Sequence, residues 1–260
     1  MKRRLENLNA LITGGSKGIG RAIATRYAEE GANLFLCARS AGPLNNTSAD
    51  LRKLGGKVVS HVADVSDQKS VKQMVQHAIK ELGEIDILVN NAGYAKSSPF
   101  LDYSLEEFEQ TIKVNLYGVF HVSQAVLPGM IKRKKGKVIN IASTGGKWGS
   151  RNQSVYNASK HGVVGLTRCM ALEMAPYKIN VNAICPYTVE TEMILPLLEN
   201  NAKVLGISPE EILKRLAAAS PLGRIIQPAD VAHLAVYLAS EESDSMTAQS
   251  ISVCGGYLMI

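Results

Sequence analysis

The feature that most narrows the folds open to this chain is a repeated change of period. Short runs rich in β-branched residues, ALIT, NLFLCA, KVVSHV, IDILVN, KVINIAS, INVNAIC and SISVC, alternate with longer stretches whose apolar residues recur at helical spacing. Ile19, Ala22, Ile23 and Tyr27 share one helix face before Gly31, and Val71, Val75, Ala78, Ile79 and Leu82 share another before Gly83. Parallel strands need crossovers, so regular strand–helix alternation predicts a parallel sheet covered on both faces. The expected fold is α/β, a three-layer doubly wound sheet of about seven strands forming one domain over residues 1–260. Only residues 188–226 break the alternation. Helical pieces around Leu195 to Leu205 and Pro209 to Ala218 make this segment read as an insertion near a site.

Composition removes several function classes. No apolar run approaches the ~20 residues that span a bilayer, and the polar start MKRRLENLN never becomes a signal core, so a cytoplasmic protein without a membrane partner is expected. Cys37, Cys169, Cys185 and Cys254 show no CxxC spacing, and three of them sit in apolar strand runs; they read as small core residues, with no structural metal. A net charge of +6 raises the question of nucleic acid, but 5% aromatics offers few stacking platforms, and a phosphorylated cofactor or an acidic partner explains the excess better. The densest basic run, KRKKGK from Lys132 to Lys137, reads as a helix C-terminus with Gly136 as its stop, or additionally as a docking patch.

In doubly wound sheets the chemistry gathers in the loops after the strands. TGGSKGIG, Thr13 to Gly20, follows the first strand, and its glycines at 14, 18 and 20 let the backbone turn tightly against a pyrophosphate at the next helix N-terminus. NNAG, Asn90 to Gly93, follows the fourth strand, Ser143 follows KVINIA, and YNASK then brings Tyr156 and Lys160. Residues four apart are neighbours on a helix, so the Lys160 ammonium is expected to favour phenolate at Tyr156 and lower its pKa from near 10. Such a phenol serves as a general acid or base, and Ser143 can hold the reacting oxygen.

The set TGxxxGxG, NNAG, the strand-end Ser, YxxxK and the Asn of KVNLYG resembles the short-chain dehydrogenase/reductases over practically the whole chain. That resemblance implies a Rossmann-type domain and a catalytic set of Asn115, Ser143, Tyr156 and Lys160. Lys160 would also bind the nicotinamide ribose, and Asn115 would anchor a water that relays protons to it. It further implies cofactor contacts from Gly14, Ser16, Lys17, Gly18, Ile19 and Gly20, from Arg39, Asp64 and Val65, from Asn91, Ala92 and Gly93, from Tyr156 and Lys160, and from Pro186, Val189 and Thr191. Asp64 reads equally as a helix N-terminal acid. A homotetramer or homodimer is implied. At the end of the second strand Ala38 stands where an acid would hold a ribose 2′-hydroxyl, while Arg39 and Lys17 suit a 2′-phosphate, so NADPH is expected over NADH.

Longer runs, STGGKWG, SKHGVVGLT, VNAICP, VETEM and TAQSISVCGGYLMI, are similar to polyketide ketoreductases and 3-oxoacyl-carrier-protein reductases. They imply NADPH-dependent reduction of a ketone, in particular a β-ketoacyl thioester on coenzyme A or an acyl carrier protein. A secondary-alcohol dehydrogenase acting on a sugar, steroid or small cyclic ketone, and a non-catalytic NADP(H)-binding protein, are the rival readings. Tyr94, Trp148, Tyr187 and Met193 are candidate substrate contacts. YAKSSP stands in place of the Pro-Gly-Gly run of polyketide enzymes, and Pro186-Tyr187 in place of the family's Pro-Gly. Tyr187 either lines the pocket or swings outward with its loop. Met193, Ile194, Leu197 and Leu198 either cover a hydrophobic acyl chain as a lid or pack against the core or a neighbouring subunit.

Overall fold

The computed structural model describes residues 3–195, 198–199, 202 and 206–260, and contains a single seven-stranded sheet in the order β3-β2-β1-β4-β5-β6-β7. The strands are Asn9–Thr13, Asn33–Ala38, Val58–Val62, Ile87–Asn90, Gly136–Ile141, Ile179–Pro186 and Ser250–Val253, and every pairing is parallel. Each predicted run is a strand. The sheet is central because β-strand side chains alternate between faces. Ala10, Ile12, Leu34, Leu36, Ile87 and Val89 enter one buried core, while Leu11, Phe35, Leu88, Val138 and Val181 enter the other.

Helices α1 (Gly18–Glu29) and α2 (Ala41–Arg52) cover the first face together with α8 (Pro228–Ala239), where the Tyr27 hydroxyl donates to Ala235 O at 2.9 Å. Helices α3 (Gln68–Leu82), α5 (Gly118–Arg133) and α6 (Ser154–Met174) cover the second, with the short α4 (Leu105–Ile112) against α6. Val71, Val75 and Ala78 are buried as the periodicity requires, while Ile79 lies at the edge of the stripe and is exposed. Cys37, Cys185 and Cys254 are buried; Cys169 is an exposed helix residue. No helix among the described residues is long and apolar enough to cross a membrane.

The basic run is placed differently from its sequence reading. Lys134, not Gly136, ends α5, adopting the left-handed conformation at φ 52°. Gly136 instead opens β5, where a Cβ would lie 2.4 Å from the Met130 sulfur, so the glycine is required by packing. The run therefore sits at the N-terminal edge of the sheet. From its last residue, Lys137, β5 runs on to Ile141 at the carboxyl edge, about 13 Å at strand rise.

The insertion closes on itself at its neck: Glu190 N donates to Ile226 O at 2.9 Å and Ile226 N to Thr188 O at 3.1 Å. Within it, α7 (Pro209–Ala219) is capped by Ser208, which accepts from Glu211 N at 3.2 Å. Leu198, Ala202 and Ile212 form a small core of their own with Ile194 and Leu216 against them. Leu197 and much of the expected Leu195 to Leu205 helix lie outside the described residues.

Candidate active site

The order of the sheet reverses between β1 and β4, and the loops after those two strands must diverge there, leaving a crevice. A cleft of about 520 Å³ lies at this place. Its floor is the glycine loop. Gly14 and Gly18 take φ 65° and 54°, and a Cβ at Gly14 would lie 2.8 Å from the Asn91 amide, so the backbone fits only without side chains. The loop is clamped from β4: Asn91 Nδ2 donates to Thr13 O at 2.9 Å and Gly14 O at 3.0 Å, while Thr13 Oγ1 accepts from Asn91 N and Ala92 N. The α1 N-terminus carries no acid in its first turn and its cap residue, Lys17, makes no side-chain cap bond. Its free N–H groups and dipole are thus left for an anion.

Four expected residues meet at the end of β5. Ser143 caps the short turn Thr144–Gly146 by accepting from Gly145 N at 3.0 Å, and it is hydrogen-bonded to Tyr156. One helical turn further, Lys160 Nζ stands 5.7 Å from the Tyr156 ring centroid and donates to Ile141 O at 2.9 Å. Asn115 lies in a π-helical turn, Lys113–Tyr117. Its Oδ1 accepts from Tyr94 N at 2.7 Å, and its Nδ2 donates to Tyr94 O and Ser159 Oγ at 2.9 Å each. The absence of a side chain at Gly93 leaves room beside these groups, since a Cβ there would lie 3.4 Å from Asn115 Oδ1 and 3.8 Å from Lys160 Nζ.

The electrostatics correct the expected phenolate. Burial pushes the Tyr156 phenol above 10, the Ser143 hydrogen bond pulling it part of the way back. Burial also brings the Lys160 ammonium down from 10.5 to about 8. Spacing of i,i+4 brought the groups together, but loss of hydration is the largest influence on both.

Most of the other expected residues line the same cleft: Ser16, Lys17 and Ile19 on the floor, Arg39, Asp64 and Val65 at one end, and Ala92, Tyr94, Pro186, Val189, Thr191 and Met193 toward the other. Lys17 and Arg39 are exposed, and neither forms an ion pair among the described residues. Asp64 is not the cap of α3, a part Asp67 takes; its Oδ1 accepts from Ser66 N and Oγ at 2.9 and 2.7 Å. Gly20 and Asn115 stand behind the cleft wall as supports, Gly20 because a Cβ would lie 2.2 Å from Gly14 O.

Two substrate candidates separate. Trp148 is 57% exposed and outside the cleft, whereas Tyr187 lines it, its ring stacked on Tyr257 with centroids 3.9 Å apart. Tyr187 therefore does not swing outward. Ile194 and Leu198 both line the cleft and pack within the insertion's own core. Sequence reasoning passed over Arg151, Gln153, Leu216 and Tyr257, all of which also line the cleft.

A family model described as short chain dehydrogenase matches residues 8–202. The chain is 40% identical over 249 residues to a putative ketoacyl reductase of Streptomyces coelicolor, covering 95% of each chain. It is 37% identical over 256 residues to a 3-oxoacyl-[acyl-carrier-protein] reductase of Thermotoga maritima, covering 98% of this chain and all of that one. Among solved structures, an actinorhodin polyketide ketoreductase variant with NADPH superposes with a TM-score of 0.94 at 38% identity, covering 99% of both chains.

Proposed function

The chain belongs to the short-chain dehydrogenase family, and from that premise we propose that it is an NADPH-dependent reductase of ketones, with β-ketoacyl thioesters as its substrate class. The observation that carries the reading is the convergence of Ser143, Tyr156 and Lys160 at the carboxyl edge of the sheet beside a glycine-floored cleft.

The residues fit the cofactor. The uncapped α1 N-terminus and the bare backbone at Gly14 and Gly18 would take the pyrophosphate. Lys17 and Arg39, both without ion-pair partners among the described residues, would take the 2′-phosphate; a guanidinium can hold it with two parallel bonds. Bound there, the cofactor supplies hydride. The protein's own part concerns the oxygen of the substrate. Ser143 orients the carbonyl, and Tyr156, kept protonated at neutral pH by burial, donates its phenolic proton to that oxygen as negative charge develops. Lys160 holds a positive charge near the resulting phenolate. Asn115 acts by position: its Nδ2 holds Tyr94 O and Ser159 and its Oδ1 accepts from Tyr94 N, and the second lone pair of that oxygen remains to anchor a water that reprotonates Lys160.

A thioester on coenzyme A or an acyl carrier agrees with the net charge of +6 and with the exposed cation Arg151 in the cleft lining. The KRKKGK run is at the opposite edge of the sheet. The reading is tested by following NADPH absorbance with β-ketoacyl thioesters beside matching free ketones and polyols. A higher kcat/KM for the thioester, declining as salt rises past the point where the Debye length falls below about 10 Å, is expected. Turnover of polyols alone would replace it with a secondary-alcohol dehydrogenase.

A further inference from the structure

The ring at position 187 is fixed from several sides. It stacks on Tyr257 with planes 19° apart, packs against the first core cluster, and its hydroxyl is hydrogen-bonded to Thr188, while Tyr187 N donates to Val253 O at 3.0 Å. Tyr257 is fixed in turn by the C-terminal segment. Tyr257 N donates to Cys254 O at 3.0 Å, and Gly255 O receives both Ser220 Oγ at 3.0 Å and Leu222 N at 3.1 Å. The turn needs φ 58° at Gly255 and 87° at Gly256, and a Cβ at Gly256 would meet the Pro221 ring at 3.0 Å. Beyond the ring, Lys147 Nζ donates to the Ile260 carbonyl at 2.6 Å. Both tyrosines face the same cleft as Tyr94, Met193, Ile194 and Leu216.

Two rings braced in this way make a wall. One face of each is taken by the other, and Tyr187 is backed by the core, so it cannot rotate away from an incoming group without breaking the stack and the Thr188 bond. A dinucleotide takes up much of a 520 Å³ cleft, and the wall bounds what is left. We propose that the Tyr187–Tyr257 stack is the specificity-determining wall of the substrate end, admitting compact β-ketoacyl chains and turning away those with bulky ring systems. This rests on the ketoreductase reading above.

The test compares an acetoacetyl thioester with a β-keto thioester that ends in a naphthyl group, both on the same pantetheine arm and at saturating NADPH, so that cofactor affinity does not enter. The readout is the ratio of kcat/KM, bulky over compact. The wild type is expected to favour the compact substrate by at least tenfold. Tyr187→Gly should raise the ratio at least tenfold, as should Tyr257→Ala, while Tyr187→Phe, which keeps the stacked ring, should retain the wild-type ratio. A single methylene in an apolar pocket is worth about 10- to 200-fold, so removing a fixed ring falls well within reach. If Tyr187→Gly does not fold, Tyr257→Ala carries the same expectation, because its ring is 38% exposed and lies outside the core. A ratio unmoved in both truncations, or raised equally in Tyr187→Phe, overturns the wall while leaving ketoreduction intact. A wild type inactive on thioesters and ketones alike overturns the underlying reading, and the wall with it.

Discussion

Replacing Lys160 with methionine should make the ligand-free protein more stable at neutral pH while destroying its turnover. Lys160 is 5% exposed, and burial lowers its ammonium from 10.5 to about 8. At 1.36 kcal/mol per tenfold change in proton affinity, keeping this group charged in the fold costs on the order of 3 kcal/mol at pH 7. Because the folded value lies below the unfolded one, the unfolded chain binds the extra proton. The cost is therefore complete below about pH 8, shrinks between about 8 and 10.5, and vanishes above. Methionine removes the charge but leaves the Ile141 carbonyl without the bond it receives at 2.9 Å, a loss of about 1 to 3 kcal/mol. The net gain at pH 7 is then about 1 kcal/mol.

The pH dependence is the sharper test, since the lost hydrogen bond contributes at every pH and cancels. Urea unfolding of both proteins without ligand should show the stability difference moving toward the wild type by roughly 2 to 3 kcal/mol between pH 7 and pH 10. A difference that stays constant over this range would mean that Lys160 titrates as it does in water and that burial does not govern the site.

Other substitutions separate the remaining roles. Tyr156→Phe should retain NADPH affinity, measured by fluorescence titration, and lose about 10²- to 10⁴-fold in kcat; a loss below tenfold would move the proton donor elsewhere. Arg39→Ala should weaken NADPH by about tenfold or more and leave NADH nearly unchanged, since charge-assisted bonds are worth about 1.5 to 3 kcal/mol; equal weakening of both cofactors would make Arg39 structural. Asn91→Ala removes the two side-chain bonds to the glycine loop and leaves only the two that Thr13 Oγ1 accepts from the backbone, so NADPH affinity and thermal stability should fall together. Unchanged affinity in that variant would show the loop to be held by its own backbone.

What was legible in the sequence followed from local rules. Short β-branched runs identified all seven strands, and glycines without room for a side chain marked the floor of the cleft. The misreadings arose where a local rule met a tertiary demand. Gly136 looked like a helix stop because it follows four basic residues, yet Met130 needs its bare backbone and Lys134 accepts the left-handed turn. Tyr156 looked like an easy phenolate because i,i+4 spacing gives proximity, but spacing says nothing of hydration, and hydration decides the direction.

Tyr257 was missed for a different reason, and the signal for it existed. Strands β6 and β7 are parallel neighbours with Pro186 opposite Val253, so whatever follows each strand must emerge at the same edge of the sheet. Tyr187 follows one and the Gly255-Gly256-Tyr257 turn follows the other. Two residues seventy positions apart in the chain are thereby delivered to one side of one cleft, and the positive φ values that Gly255 and Gly256 supply turn the second ring back onto the first. The order of strands, once inferred, thus extends a site beyond its motifs: each pair of adjacent parallel strands nominates the residues after both as neighbours. Applied at β5 and β6, the same rule brings Ser143 beside Pro186 and Tyr187, which is why the Ser143 hydroxyl and the Tyr187 ring line a common space.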